Sequence, residues 1–377
     1  MSRILVDENI LGAESLLAPL GEVVRFRGRS LRRTDLDGAQ ALLVRSVTKV
    51  NADLLAGTNV RFVGSATIGT DHLDIPWLES AGIAWSNAPG SNAPSVVDYC
   101  LSAFCVMPAV LEGLLRGERV GIIGYGNVGS RLHRRLEGLG ISCIAYDPFL
   151  TPQQCPIKAP LDTVLACPVV SVHTPLTLDG PFPTSRMLTA DQICQMAPKA
   201  VLLNAGRGEV LANATLKAVR AQRSDIRLAL DVWEGEPAID SALLSEAELA
   251  TPHIAGYSQD GKWQGLLHIG RALAAQLGCA LSEPEDNGVL AVAPSVDVSG
   301  VTDKADLIRR VTLAAYDVRR DHEALTAGLR NIEDLAKTFD QLRREYPARR
   351  EVASVRTTGE EWLPPALRVT LAAMRKL

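Results

Sequence analysis

Short apolar runs separated by helix-like stretches recur along the first two thirds of the chain. Ile4 to Val6 forms one such run, an amphipathic stretch from Ile10 to Leu20 follows, and ALLVRS at residues 41–46 forms the next. Apolar runs of this length alternating with a 3.6-residue period predict a parallel sheet with crossover helices. Phe62 and Val63 repeat the theme. The rest of RFVGSATIGTDHLD is polar and glycine-bearing, and it reads as a loop leaving a strand's carboxyl end. Open α/β sheets bind ligands at that end.

The pattern changes near Ala93. SVVDYCLSAFCVMPAVLEGLL, beginning after Pro94, predicts a mostly apolar helix buried between domains. VGIIGYGNVGSRLHRRLEGLGISCIAYD then gives strand, glycine turn, helix and strand in sequence, which is a βαβ unit. Further strands are expected at residues 169–173, 200–204 and 227–232, each ending in a polar motif. KWQGLLHIGRALAAQL predicts a returning helix, and the loose stretch SEPEDNGVLAVAPS marks a boundary near residue 290. Beyond it, DLIRRVTLAAYDVRRDHEAL and NIEDLAKTFDQLRREY read as helical. Leu335, Phe339, Leu342 and Tyr346 recur there at intervals of four, three and four residues.

Composition narrows the class. A chain of 377 residues, 47% hydrophobic and 22% charged, is expected to be soluble and to fold as two or three domains. A net charge of −4 gives no bulk reason to expect nucleic acid or a membrane surface as partner, so an anionic ligand must be met by local charge. MSRILVDENI lacks the apolar core of a secretory signal, and no stretch is apolar enough for a membrane span. Seven scattered cysteines without a CxxC pair predict unpaired thiols in a reducing cytoplasm, no metal site and no catalytic cysteine.

The candidate chemistry begins at GYGNVG. Gly124 permits a tight turn, Gly126 lets the backbone approach a pyrophosphate, and Gly129 lets the helix pack closely on the strand. Tyr125, Asn127 and Val128 complete the loop, and free N–H groups at the helix start face the phosphates. Asp147 closes the second strand, eighteen residues after Gly129, where a carboxylate binds the ribose hydroxyls and repels a 2′-phosphate. The cofactor expected is therefore NAD. Asp231, ending a later strand, is a candidate for orienting the nicotinamide end.

Three polar residues downstream suit an alcohol dehydrogenation. His253 in TPHIAGYS is a general acid/base with an ordinary pKa near neutrality. Glu236 in DVWEGEP can fix its tautomer and stabilise the imidazolium. Arg207 in NAGRGEV, between Gly206 and Gly208, can offer a bidentate fork to a substrate carboxylate.

The glycine loop, Asp147, the Arg207 motif, DVWEGEP and PHIAG, in that order, resemble the D-isomer-specific 2-hydroxyacid dehydrogenase superfamily. ILVDENI, VRSVTKVN, SATIGTDHLD, NAPGSNAPSVVDY, HTPLTLDGP, HIAGYSQDGK, YDVRRD and FDQLRREY extend the likeness to a tailed branch of it acting on a phosphorylated hydroxy acid. The resemblance implies an α/β chain with a Rossmann-type NAD-binding domain, residues 93–257, inserted in a flavodoxin-like substrate domain, residues 1–92 and 258–290. A small α+β C-terminal dimerisation domain, residues 291–377, makes a homodimer. It assigns catalysis to Arg207, Glu236 and His253. Cofactor contacts fall on Thr174, Ala205, Gly206, Arg207 and Gly256 besides Asp147, Asp231 and the glycine loop; substrate contacts fall on Ser46, Thr67 and Tyr257.

Ser91 departs from a cysteine of some relatives. The phosphate end of such a substrate needs a second cationic cluster, for which Arg45 and Lys49, or Arg344 and Arg350 of a partner's tail, are the candidates. Two other readings share the motifs: a dehydrogenase of 3-phosphoglycerate or of a glyoxylate-type substrate, and a non-enzymatic NAD(H)-sensing dimer. Formate oxidation fits poorly, because it needs no acid/base pair.

Overall fold

The computed structural model describes residues 2–284 and 288–376. The chain forms two compact units, residues 1–92 with 258–292, and residues 93–257 with 293–377.

In the first unit, five strands form one parallel sheet: β1 (Ser2–Asp7), β2 (Gly21–Phe26), β3 (Ala39–Val44), β4 (Phe62–Ser65) and β5 (Ala84–Ser86). Their order, β2-β1-β3-β4-β5, is that of flavodoxin-like folds. The amphipathic run after β1 yields only a short helix, Ala13–Leu17, because Gly12 stands at φ 77° and starts it late. A side chain at Gly12 would strike Trp263, which lies on the helix Gln259–Gln276 returning to this unit. That helix buries Leu266, Leu267, Ile269 and Leu273 with Ile4, Val6 and Leu43 of the strands.

The second unit holds a six-stranded parallel sheet: β6 (Val120–Ile123), β7 (Cys143–Tyr146), β8 (Val169–Val172), β9 (Val201–Asn204), β10 (Arg227–Leu230) and β11 (Leu249–Ala250). The order is β11-β10-β9-β8-β6-β7, and a lone bridge from Ala145 to Lys158 stands where a doubly wound sheet carries one more edge strand. Strand order reverses at β6, and the glycine loop leaves its carboxyl end. All six strands read as nearly continuous apolar runs because both faces are covered.

The long apolar stretch after Ala93 differs from expectation. It forms two helices, Ala93–Val106 and Val110–Leu115, since Pro108 cannot continue the first and Ala109 adopts φ 63°. The first of them is buried within this unit, against the helix Asn127–Gly138 and the tail helices Lys304–Ala315 and Val318–Thr326.

The tail packs against the rest of the second unit. Ser102 Oγ donates to the Tyr316 carbonyl and accepts from the Val318 amide, and the Val352 amide donates to Asp98. The tail is itself α+β, with a two-stranded parallel ribbon, β12 (Ser295–Asp297) and β13 (Arg356–Thr358). Of the loose stretch expected at the boundary, Glu285, Asp286 and Asn287 lie outside the described residues. Among the described residues no helix is long and apolar enough to cross a membrane.

Candidate active site

Three strand ends converge in the second unit because each contact is made by a glycine. A Cβ on Gly124, at φ 90°, would stand 2.9 Å from the His173 carbonyl after β8. One on Gly206, after β9, would stand 2.9 Å from the Thr174 carbonyl, and one on Gly129 would stand 2.0 Å from the carbonyl of Gly124. Gly126 is the exception, with no atom within 4 Å of its Cβ position, so its backbone face is open. The helix Asn127–Gly138 starts at Gly126 without a side-chain cap. Its first N–H groups are therefore available to an anion. Asp147 Oδ2 accepts from the Tyr125 amide at 3.0 Å and Oδ1 from the Phe149 amide at 3.1 Å, which leaves each oxygen one acceptor position. An open glycine face, an uncapped helix start and this carboxylate suit a dinucleotide with free ribose hydroxyls. Thr174 is buried, with its hydroxyl 3.9 Å from the Met187 sulfur. Ala205 and Gly256 are half-buried, and the Gly206 amide donates to the Asn204 side chain at 3.1 Å.

Arg207 follows in an extended conformation, half-buried, and donates to the Gly206 carbonyl at 2.9 Å. It makes no ion pair among the described residues. Gly208 presses against the next loop, since a Cβ there would lie 2.0 Å from the Trp233 carbonyl. This close approach places Arg207 beside the loop of DVWEGEP.

That loop carries Glu236, whose Oε1 accepts from the Trp233 amide at 2.8 Å and whose Oε2 lies 2.8 Å from His253 Nδ1. An ionised carboxylate only accepts, so Nδ1 carries the proton and Nε2 is left as the basic nitrogen. The imidazole and the carboxylate are 32% and 18% exposed, so the pair is reachable from solvent yet partly desolvated. His253 sits at φ 55°, a left-handed conformation that costs a non-glycine residue about 1 to 3 kcal/mol.

Asp231 holds it there. The His253 amide donates to the Asp231 carbonyl at 2.7 Å. The Asp231 carboxylate takes hydrogen bonds from the Thr251 hydroxyl, the Ile254 amide and the Ala255 amide at 2.6, 2.8 and 3.0 Å. Expected at the nicotinamide end, Asp231 is instead 1% exposed and engaged chiefly with the histidine loop. Trp233, a residue that sequence reading passed over, is buried and donates through its indole N–H to the Thr251 carbonyl at 3.0 Å. Tyr257, at the end of the loop, meets Tyr346 of the tail edge to face, with centroids 5.5 Å apart.

In the first unit, Ser46 follows β3 on an exposed turn. Thr67 follows β4 and shares a 2.8 Å hydrogen bond with Ser65, which in turn lies 3.0 Å from His72 Nε2. Burial of the His72 imidazole holds its pKa below the usual range. Arg45 is half-buried and Lys49 exposed. Lys262, missed in the sequence although HIAGYSQDGK contains it, has its ammonium pushed below the usual range by burial and then by the charge of Arg45. Two cations therefore stand near one another in this unit. In the tail, Arg344 is exposed and reaches Glu345 at 3.4 Å, while Arg350 is half-buried. All seven cysteines are unpaired, and burial pushes the thiols of Cys100, Cys105 and Cys143 up to about 12, which removes them as nucleophiles near neutral pH.

The chain is 47% identical over 361 residues to the erythronate-4-phosphate dehydrogenase of Teredinibacter turnerae, covering 95% of each. The chain belongs to the erythronate-4-phosphate dehydrogenase family. The member from Edwardsiella ictaluri is 42% identical over 376 residues, 98% of both chains. Residues 106–255 match the family model "D-isomer specific 2-hydroxyacid dehydrogenase, NAD binding domain", and residues 291–368 match a domain of unknown function, DUF3410. Solved structures give the same fold. An NAD⁺-bound 3-phosphoglycerate dehydrogenase of Entamoeba histolytica superposes with a TM-score of 0.59 at 23% identity, covering 74% of this chain and 94% of its own. A D-lactate dehydrogenase of Aquifex aeolicus, complexed with NAD and lactic acid, has a TM-score of 0.58 at 22% identity, covering 73% of this chain and 95% of its own.

Proposed function

We propose that this chain oxidises the C2 hydroxyl of 4-phospho-D-erythronate with NAD. The products are (R)-3-hydroxy-2-oxo-4-phosphooxybutanoate, NADH and a proton, a step of pyridoxine and pyridoxal 5′-phosphate biosynthesis. The observation that carries the reading is the 2.8 Å pair of His253 and Glu236 at the end of a strand of the NAD-binding sheet. Bound NAD supplies the hydride acceptor.

The protein's own groups do the rest. His253 Nε2 takes the hydroxyl proton, and Glu236, fixed by the Trp233 amide, stabilises the imidazolium that results. Arg207 grips the substrate carboxylate and polarises the neighbouring carbon–oxygen bond. Gly124 to Gly129 and Asp147 hold the dinucleotide, with Thr174, Ala205, Gly206 and Gly256 along its path, while Asp231 acts through the loop it anchors. Ser46, Thr67, Arg45 and Tyr257 contact substrate. Residues 1–92 with 258–290 serve as the substrate domain, and residues 93–257 as the NAD domain. Residues 291–377 make the homodimer, and the enzyme works in the cytoplasm.

The test is the rate of NADH formation with 4-phospho-D-erythronate set against 3-phosphoglycerate and glyoxylate-type acids. The proposal expects kcat/KM for the first to exceed the others by at least about 100-fold, the range a dedicated charged contact provides. Comparable values would assign the chain another acid. Binding of NAD without turnover of any of them would make it a sensor of the cofactor.

A further inference from the structure

One guanidinium beside the histidine loop has no carboxylate partner among the described residues. Arg343 stands in the last turn of the tail helix Leu335–Arg344. One turn earlier, Phe339 is fully buried in the same core as Val170, Val172, Leu202 and Leu230 of the sheet, so the end of this helix is anchored to the strands that carry the site. The Arg343 guanidinium lies 5.8 Å from the Phe339 ring, and its Nε is sealed from solvent with no hydrogen-bond partner. Its side chain hydrogen-bonds the Tyr257 phenol. Tyr257 is also braced by the tail, through the ring of Tyr346. Burial opposes the Arg343 charge, but Tyr257, Glu236 and Asp231 outweigh it and hold the pKa above the usual value. The guanidinium is thus kept charged within electrostatic reach of the catalytic carboxylate.

A half-buried guanidinium with no carboxylate partner among the described residues can meet an anion through its terminal nitrogens, its sealed Nε taking no part. The proposed substrate carries two anionic ends, and Arg207 accounts for one of them. We propose that Arg343, together with the Tyr257 hydroxyl, docks the phosphate of the substrate, so that the tail of each chain completes its own substrate site. This rests on the function proposed above. It gives the domain of unknown function at residues 291–368 a part in recognition besides any part in assembly. The exposed Arg344 next to it, already turned toward Glu345, takes no such role.

The experiment uses the full-length enzyme with NAD, comparing 4-phospho-D-erythronate and D-erythronate in the unaltered chain, R343Q and R343K. R343Q is expected to lower the ratio of kcat/KM for the phosphorylated over the unphosphorylated acid by about 10- to 100-fold, mainly through KM, with R343K falling between. Inorganic phosphate, as a competitive inhibitor, should lose potency in the same order, and this readout needs no turnover of the poorer substrate. Unchanged KM for NAD shows that the variants are folded. A ratio and a phosphate inhibition constant that stay as in the unaltered enzyme overturn this role for Arg343 while leaving the dehydrogenase standing. Absence of 4-phospho-D-erythronate oxidation by the unaltered chain overturns both.

Discussion

Two histidines near the cofactor loop show how differently one side chain can be set. His253 is held in a left-handed conformation by four hydrogen bonds to Asp231 from residues 251–255, and its Nδ1 faces a carboxylate. His173 faces none. Its Nε2 lies 2.8 Å from the Ser171 hydroxyl, its Nδ1 is sealed from water without a partner, and desolvation pushes its pKa down to about 3. A histidine that stays neutral when folded but binds a proton when unfolded favours the fold above its unfolded pKa of about 6.5, and that contribution drains away as pH falls toward the folded value. Between pH 6.5 and about 3 the chain should therefore lose on the order of a few kcal/mol through this one group. Urea midpoints across that range, in the unaltered chain and in His173→Asn, measure it. The variant should show a shallower acid limb, and an identical limb would mean that His173 is not kept neutral by the fold.

Among the elements, the glycine contacts explain why the site lies where it does, and they make opposite demands. At Gly208 the Trp233 carbonyl fills the place of a Cβ, so Gly208→Ala must push apart the loops of Arg207 and Glu236. We expect a loss of roughly 1 to 3 kcal/mol of stability together with a fall in kcat. Gly126→Ala meets nothing in the protein and should leave the melting temperature nearly unchanged while weakening NAD binding, because the methyl occupies the phosphate face. Melting curves and NAD titrations of the two variants check this, and equal destabilisation would contradict it. The sequence announced these loops plainly, since each ends a short apolar run and each glycine sits in a motif. It announced helix ends poorly. Pro108 breaks the long apolar stretch, and Asp317, accepting from the Arg319 amide, starts a new helix inside what reads as one pattern. Both signals were local and were outweighed by the longer periodicity around them.

At the scale of the whole chain, what stayed hidden was long-range. The Val352 amide reaches Asp98 across 254 positions, and Arg349 reaches the Ser95 carbonyl across the same span and the Ile254 carbonyl across 95. No periodicity encodes such pairings. For that reason Arg344 and Arg350 stand out in the sequence of the tail and Arg343 does not. Motif residues within a few positions of a strand end, Asp231 among them, are legible in the sequence; the support that Trp233 gives, which depends on where the neighbouring loop comes back, is not. In the proposed reaction His253, set by Glu236 and Asp231, moves the proton when the substrate alcohol is oxidised. The most direct test is the single-turnover rate of NADH formation in His253→Ala, with NAD binding followed in parallel. The rate should fall by about 10² to 10⁴ with NAD affinity retained; a rate close to that of the unaltered enzyme means that another group moves the proton.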